Sequence, residues 1–226
     1  MKQIVLLFFL TLIVQDIYPQ HTFNPVTTAV GLEVDPGNLG QAVGWGDIDH
    51  DGDLDVAYSY SNPADFKLYR NDDGMYTDIT VSAGLSGISA WTIMWAEVTG
   101  DTLDDLITRN ALYKNNGNNT FSYAGSIAGS ITSLADFNKD GNLDLFDRNL
   151  PGIITGDGNG NFMDEYPLNL SGVRSTVCFD YDLDGDIDIL AGTSESYANK
   201  IFRNDGNMVF TDVSAGSGLI MTNDIY

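Results

Sequence analysis

Asp47-Ile48-Asp49-His50-Asp51-Gly52-Asp53-Leu54-Asp55 has the spacing of a loop that wraps a hard cation. Side-chain oxygens fall at positions 1, 3, 5 and 9, and Gly52 at position 6 permits the sharp turn. Position 7 can add a backbone carbonyl, which completes an all-oxygen shell. The residues that follow, Val56-Ala57-Tyr58-Ser59-Tyr60, are β-branched, aromatic or small, so the loop leads into a strand.

The pattern returns twice, with Asp136, Asn138, Asp140, Gly141, Asn142 and Asp144, and with Asp180, Asp182, Asp184, Gly185, Asp186 and Asp188. The expected metal-binding set is therefore Asp47, Asp49, Asp51, Asp53 and Asp55, Asp136, Asn138, Asp140, Asn142 and Asp144, and Asp180, Asp182, Asp184, Asp186 and Asp188. Two carboxylates about 4 Å apart repel by roughly 4 kcal/mol at an effective dielectric of about 20, so such clusters call for a divalent cation. Many oxygen ligands including carbonyls favour calcium over magnesium, and the lack of His and Cys ligands disfavours zinc. A fourth copy, Glu97-Val98-Thr99-Gly100-Asp101-Thr102-Leu103-Asp104-Asp105, has Thr at position 3 and its Gly displaced from position 6. It is expected to keep the turn and to be vestigial as a calcium site. An EF-hand needs an acid at position 12 and a helix after it. Position 12 is Tyr58 in the loop that begins at Asp47 and Ala191 in the one that begins at Asp180; Asp147, in the loop that begins at Asp136, is read as coincidence.

The loops begin at residues 47, 97, 136 and 180, a spacing that accommodates four short strands with tight turns. Two other markers recur in phase. One is an apolar pair before a polar turn, as in Leu68-Tyr69-Arg70-Asn71, Leu112-Tyr113-Lys114-Asn115 and Ile201-Phe202-Arg203-Asn204, with a degenerate Ile153-Ile154-Thr155-Gly156. The other is a closing strand and turn, Tyr76-Thr77-Asp78 through Gly84-Leu85, matched by Phe210-Thr211-Asp212 through Gly218-Leu219. No sustained helical period is present, so helix should be scarce. The prediction is all-β, a β-propeller of four-stranded blades with units at about 33–85, 86–130, 131–172 and 173–219. Phe23-Asn24-Pro25-Val26-Thr27 through Gly31-Leu32 matches the closing marker, so a lone fourth strand is expected ahead of four complete units.

The net charge of −22, from 32 acidic and 10 basic residues, disfavours nucleic acid and anionic membrane surfaces as partners. Lys2 followed by the apolar run Ile4 to Val14 reads as a secretory signal, too short to span a bilayer, with cleavage near residue 20. Export and localisation outside the cell, or at its surface, are the expectation. The single cysteine, Cys178, excludes an intrachain disulfide and reads as a buried small hydrophobe.

In these loops, and in the Asn-Gly-rich turns before Phe121 and Phe162, the chain resembles the FG-GAP and VCBS repeat family of integrin-α-like calcium-binding propellers. The resemblance implies calcium between strands one and two of each blade. It also implies a propeller usually of seven blades, so the four units are expected to be a fragment of one rather than four blades that close on themselves with a shared strand.

Catalytic machinery is sparse. His21 sits at the expected processing site and His50 at position 4 of the first loop, and neither accompanies a nucleophile motif. The expected function is a secreted calcium-binding module for adhesion to an extracellular protein or glycan, and not an enzyme. The alternative is part of a polysaccharide-degrading lyase or hydrolase carried on a calcium-binding propeller.

Overall fold

The computed structural model describes residues 26–32, 40–60, 66–127, 129–194 and 197–217. The segment read as a signal, residues 1–20, together with His21 and the closing Gly218-Leu219, lies outside the described residues. The architecture is all-β: four four-stranded antiparallel sheets form a four-bladed β-propeller. The first blade holds β1 (Gly40–Gly46), β2 (Asp55–Tyr60), β3 (Phe66–Asp72) and β4 (Met75–Asp78). The second holds β5 (Ile93–Ala96), β6 (Asp105–Thr108), β7 (Ala111–Asn115) and β8 (Phe121–Ser126). The third holds β9 (Ile131–Ala135), β10 (Asp144–Asp147), β11 (Gly152–Gly156) and β12 (Phe162–Pro167). The fourth holds β13 (Val173–Phe179), β14 (Asp188–Thr193), β15 (Lys200–Asn204) and β16 (Phe210–Asp212). Each blade pairs its strands in chain order, the topology of hairpins joined by short turns. Helix is confined to two short 3-10 turns among the described residues, as the lack of helical period predicts.

Three hydrophobic cores join successive blades. Leu68 and Phe66 of the first blade meet Ile93, Leu106 and Phe121 of the second. Ile107 and Leu112 of the second meet Ile131, Leu145 and Ile154 of the third. Phe146 and Ile153 of the third meet Ile189 and Phe202 of the fourth. Neighbouring residues on one strand thus serve opposite interfaces, Leu106 and Ile107 on β6, Leu145 and Phe146 on β10. A sheet covered on both faces has no polar side, which is why β6 and β10 are buried at every position. The contact between β1 and β5 is close enough to need glycine. A Cβ on Gly44 would lie 2.5 Å from Ile93 Cγ2, and one on Gly46 2.7 Å from the Trp95 ring.

The closing turns repeat to the level of single hydrogen bonds. After β4, the amides of Ala83, Gly84 and Leu85 donate to the carbonyls of Ile79, Val81 and Thr80. Ahead of β1, those of Val30, Gly31 and Leu32 donate to Val26, Thr28 and Thr27 at the same offsets. The expected repeat phase is therefore present at Val26–Leu32, but Thr27–Val30 is a 3-10 turn rather than strand. Phe23, Asn24 and Pro25, where the lone strand was expected to begin, lie outside the described residues.

Candidate metal centre

The four acidic loops connect the first strand of each blade to the second, β1–β2, β5–β6, β9–β10 and β13–β14. Antiparallel pairing puts the β3–β4 type turns on the same face, and the two kinds of loop interlock. The amide of Asp73 donates to Asp53 Oδ2 (2.7 Å), and that of Gly160, in the third blade's turn, to the carbonyl of Val98 in the second blade's loop (2.7 Å).

Three of the loops share one internal wiring. Position 1 accepts the amides of positions 5 and 6: Asp47 from Asp51 and Gly52, Asp136 from Asp140 and Gly141, Asp180 from Asp184 and Gly185. Position 5 accepts the amide of position 7: Asp51 from Asp53, Asp140 from Asn142, Asp184 from Asp186, each at 2.8 Å. The backbone is left-handed at position 4, with φ 58° at His50, 60° at Lys139 and 65° at Leu183. It is left-handed again at position 6, with φ 96° at Gly52, 89° at Gly141 and 88° at Gly185. Position 6 therefore favours glycine, as the sequence pattern requires.

Position 9 has a function the spacing alone does not show. Asp55, Asp105, Asp144 and Asp188 are almost wholly buried. In each, one carboxylate oxygen accepts the amide of loop position 2 and the other an amide at the end of the third strand. Asp55 thus ties Ile48 to Asn71 (2.9 and 2.7 Å), and Asp188 ties Tyr181 to Asn204 (2.9 and 2.8 Å). Asp105 does the same for Val98 and Asn115, and Asp144 for Phe137 and Gly156. Burial raises the pKa of all four carboxyls above the ordinary carboxylate value, and that of Asp55 to about 6.

Position 2 completes the joint between blades. The side chains of Ile48, Val98 and Phe137 enter the three cores. Their carbonyls accept from the next blade: Asn115 Nδ2 donates to Ile48 (2.8 Å), Asn204 Nδ2 to Phe137 (2.9 Å), and the Gly160 amide to Val98. The third blade has Gly156 where the others have Asn71, Asn115 and Asn204, and its turn supplies the missing donor. These asparagines were visible in the recurring apolar-pair marker, but their role was not.

Among the described residues, two groups bring three carboxylates together, with ligand oxygens all within 4.8 Å of one another. They are Asp47, Asp49 and Asp55, and Asp180, Asp182 and Asp188. No ion pair reaches any of the six among the described residues. In the first group, Asp49 Oδ1 is buried and has no hydrogen-bond partner. A buried carboxylate oxygen without a donor fits a site built for a cation. Asp51, Asp53, Asp184 and Asp186 lie outside these triads; Asp186 Oδ1 pairs with Lys139 at 2.7 Å. The third loop carries the same backbone, but Asn138 at position 3 leaves it two carboxylates, Asp136 and Asp144, at the corresponding positions. Asp147, its acid at position 12, is a buried strand-end residue accepting the amides of Ser130 and Asn149. Both bonds are to Oδ1 and tie the start of β9 to the turn after β10.

The second loop keeps the backbone and changes the residues. Its left-handed positions persist, at Gly100 (φ 79°) and Thr102 (φ 73°), so glycine has moved from position 6 to position 4 without altering the turn. Glu97 at position 1 gathers the amides of Thr99, Gly100 and Asp101 onto one oxygen. Elsewhere, Cys178 is half-buried against the third core and donates to Ser133 Oγ (3.2 Å). Burial pushes its thiol pKa up, as for an inert side chain. His50 is exposed at its left-handed position. No helix among the described residues is long and apolar enough to cross a membrane.

No protein-family model matches the chain, and no curated protein matches it. Among solved structures it is similar to the V. cholerae biofilm matrix protein Bap1, with 16% sequence identity and a TM-score of 0.46. The match covers 76% of this chain and 30% of that one, so the chain spans less than a third of that protein's length. A likeness this slight transfers neither ligand nor activity.

Proposed function

We propose that this chain is an extracellular calcium-binding repeat protein whose loops 47–55, 136–144 and 180–188 each hold one calcium ion, stapling the blades. The observation that carries this reading is the pair of Asp triads, none of whose carboxylates is in an ion pair among the described residues. At 4.8 Å and an effective dielectric of about 20, each pair of charges repels by roughly 3 kcal/mol, so a divalent ion relieves a large strain. Residues at positions 1, 3 and 5, with the position 7 carbonyl, would supply the oxygens. Position 9 would contribute while holding its two amides. Calcium would supply charge and coordination only, and the propeller would offer its surface to an extracellular protein or glycan.

The reading as a binder rather than an enzyme is supported by the basic groups near the clusters among the described residues: His50 is exposed, and Lys139, Arg70 and Arg203 are paired with Asp186, Asp72 and Asp205. With calcium about 100-fold above its dissociation constant, each site adds roughly 2.7 kcal/mol of stability. Metal-free protein should therefore melt well below the calcium-loaded protein, and a melting curve indifferent to calcium would refute the staple. A panel of acidic and neutral glycans, assayed for retention and for unsaturated or hydrolysed products, tests the rest. Retention without turnover is expected, and calcium-dependent product formation would favour the polysaccharide-degrading alternative.

A further inference from the structure

The second loop is held in the shape of its three counterparts although its residues suit that shape poorly. Thr102 sits at φ 73°, a conformation that a β-branched side chain rarely adopts. Backbone of this kind persists where the surroundings over-determine it. Position 3 is the neutral Thr99, and a triad like those of the first and fourth loops does not form.

What the loop has instead is Lys114, at the end of β7. The equivalent residues on the first and fourth blades are Arg70 on β3 and Arg203 on β15, and each makes its ion pair with an aspartate two residues further on while interacting with its loop only at longer range. Arg70 binds Asp72 through Nε and Nη2 (3.1 and 2.8 Å), and Arg203 Nε binds Asp205 (2.6 Å). Two residues beyond Lys114 stands Asn116, which offers no charge. Lys114 Nζ reaches into the loop, 2.8 Å from Asp101 Oδ2 and 3.3 Å from Thr99 Oγ1. Those oxygens belong to positions 5 and 3, two of the positions that supply ligands in a cation-wrapping loop. An ammonium is a compact charge with three donors, suited to converging oxygens in a way the planar guanidinium of the first and fourth blades is not; the third blade has Thr155 here.

We infer that the Lys114 ammonium occupies, in the second loop, the place that a metal ion takes in the others, so that this blade is closed by a cation of its own. The comparison with the other loops rests on the calcium reading above; the closure of the second loop by Lys114 does not.

The test uses the full chain with three variants: Lys114→Met, Lys114→Arg, and Lys114→Met combined with Thr99→Asp. In metal-free buffer, Lys114→Met should speed hydrogen exchange of the Gly100 to Leu103 amides about tenfold. It should also lower the melting temperature by about 2 to 4 °C, equally with and without calcium. Lys114→Arg keeps the charge and should recover part of the protection. The double variant should bind one calcium ion more than the native chain by equilibrium dialysis. Unchanged exchange in Lys114→Met would overturn the inference, and so would an unchanged ion count in the double variant. Loss of an ion from the native chain on Asp101→Asn would also overturn it, because it would place metal in the second loop. If the native chain binds no calcium but Lys114→Met still loosens the loop, the calcium reading fails and the role of Lys114 stands.

Discussion

Loops 97–105 and 180–188 turn through the same backbone, with left-handed residues at positions 4 and 6 and a buried aspartate at position 9. They differ in what fills the turn. The fourth loop brings Asp180, Asp182 and Asp188 together, none of them in an ion pair among the described residues although Lys139 holds Asp186, while the second has its position 3 and position 5 oxygens on an ammonium. The difference separates two functions that one motif carries. Position 9 belongs to the fold and is present in all four blades. The carboxylates at positions 1 and 3 join it in the triads of the first and fourth loops, where the second loop has Glu97 and Thr99.

The largest effect should come from the part the loops share. Asp188→Ala and Asp105→Ala each leave two buried amides without acceptors, at a cost of about 1 to 3 kcal/mol per amide. Chemical denaturation should show both variants severely destabilised, and in the second loop by the same amount with or without calcium. A mild, fully calcium-dependent loss for Asp105→Ala would erase the distinction.

Next comes the part they do not share. Asp184 is exposed and accepts the Asp186 amide. Its change to Ala should remove one bound ion and roughly 2.7 kcal/mol at saturating calcium, while leaving the metal-free protein nearly unaltered. Equal losses in both states would make Asp184 a structural residue like Asp188.

The joint between blades ranks third. Asn115→Ala removes the donor to Ile48 and should cost about 1 to 2 kcal/mol whatever the calcium level, read by thermal melting. A calcium-dependent cost would mean that the joint and the ion are one device.

The smallest effect expected is on pH. Asp55 has a folded pKa of about 6 against an ordinary 3.8, so the metal-free folded state binds more protons than the unfolded chain between those values. The extra stability is present below the unfolded pKa and is lost as pH rises through the folded one. Metal-free protein should accordingly be more stable at pH 5 than at pH 7, by about 1 kcal/mol or somewhat more. Protonation at Asp55 competes with calcium, so calcium affinity should fall over the same range. A metal-free melting temperature flat from pH 5 to pH 7 would show that Asp55 stays charged without an ion.

The residues that repeat at fixed spacing made the architecture legible. The acidic loops, the apolar pairs before Asn71, Asn115 and Asn204, and the closing turns at Leu32 and Leu85 each mark one element of a blade. Four blades, their strands and the scarcity of helix follow from those markers. Partners distant in sequence were not legible. Asn115 and Ile48 are 67 residues apart, as are Asn204 and Phe137, and only the stacking of blades brings them together. The double duty of Asp55 and Asp188 was hidden because ligand and clamp both call for aspartate. The displaced glycine of the second loop was expected to leave the turn intact, and Gly100 and Thr102 keep it between them, Thr102 at a φ the sequence did not show. Lys114 lay outside the loop motif altogether, and its place in the loop depends on β7 pairing with β6.

Crystals of the full chain grown in calcium, with anomalous scattering recorded, would locate the ions. Anomalous peaks are expected within loops 47–55, 136–144 and 180–188, and the Lys114 ammonium in place of a peak in loop 97–105. A peak in loop 97–105, or none in the other three, would contradict that arrangement.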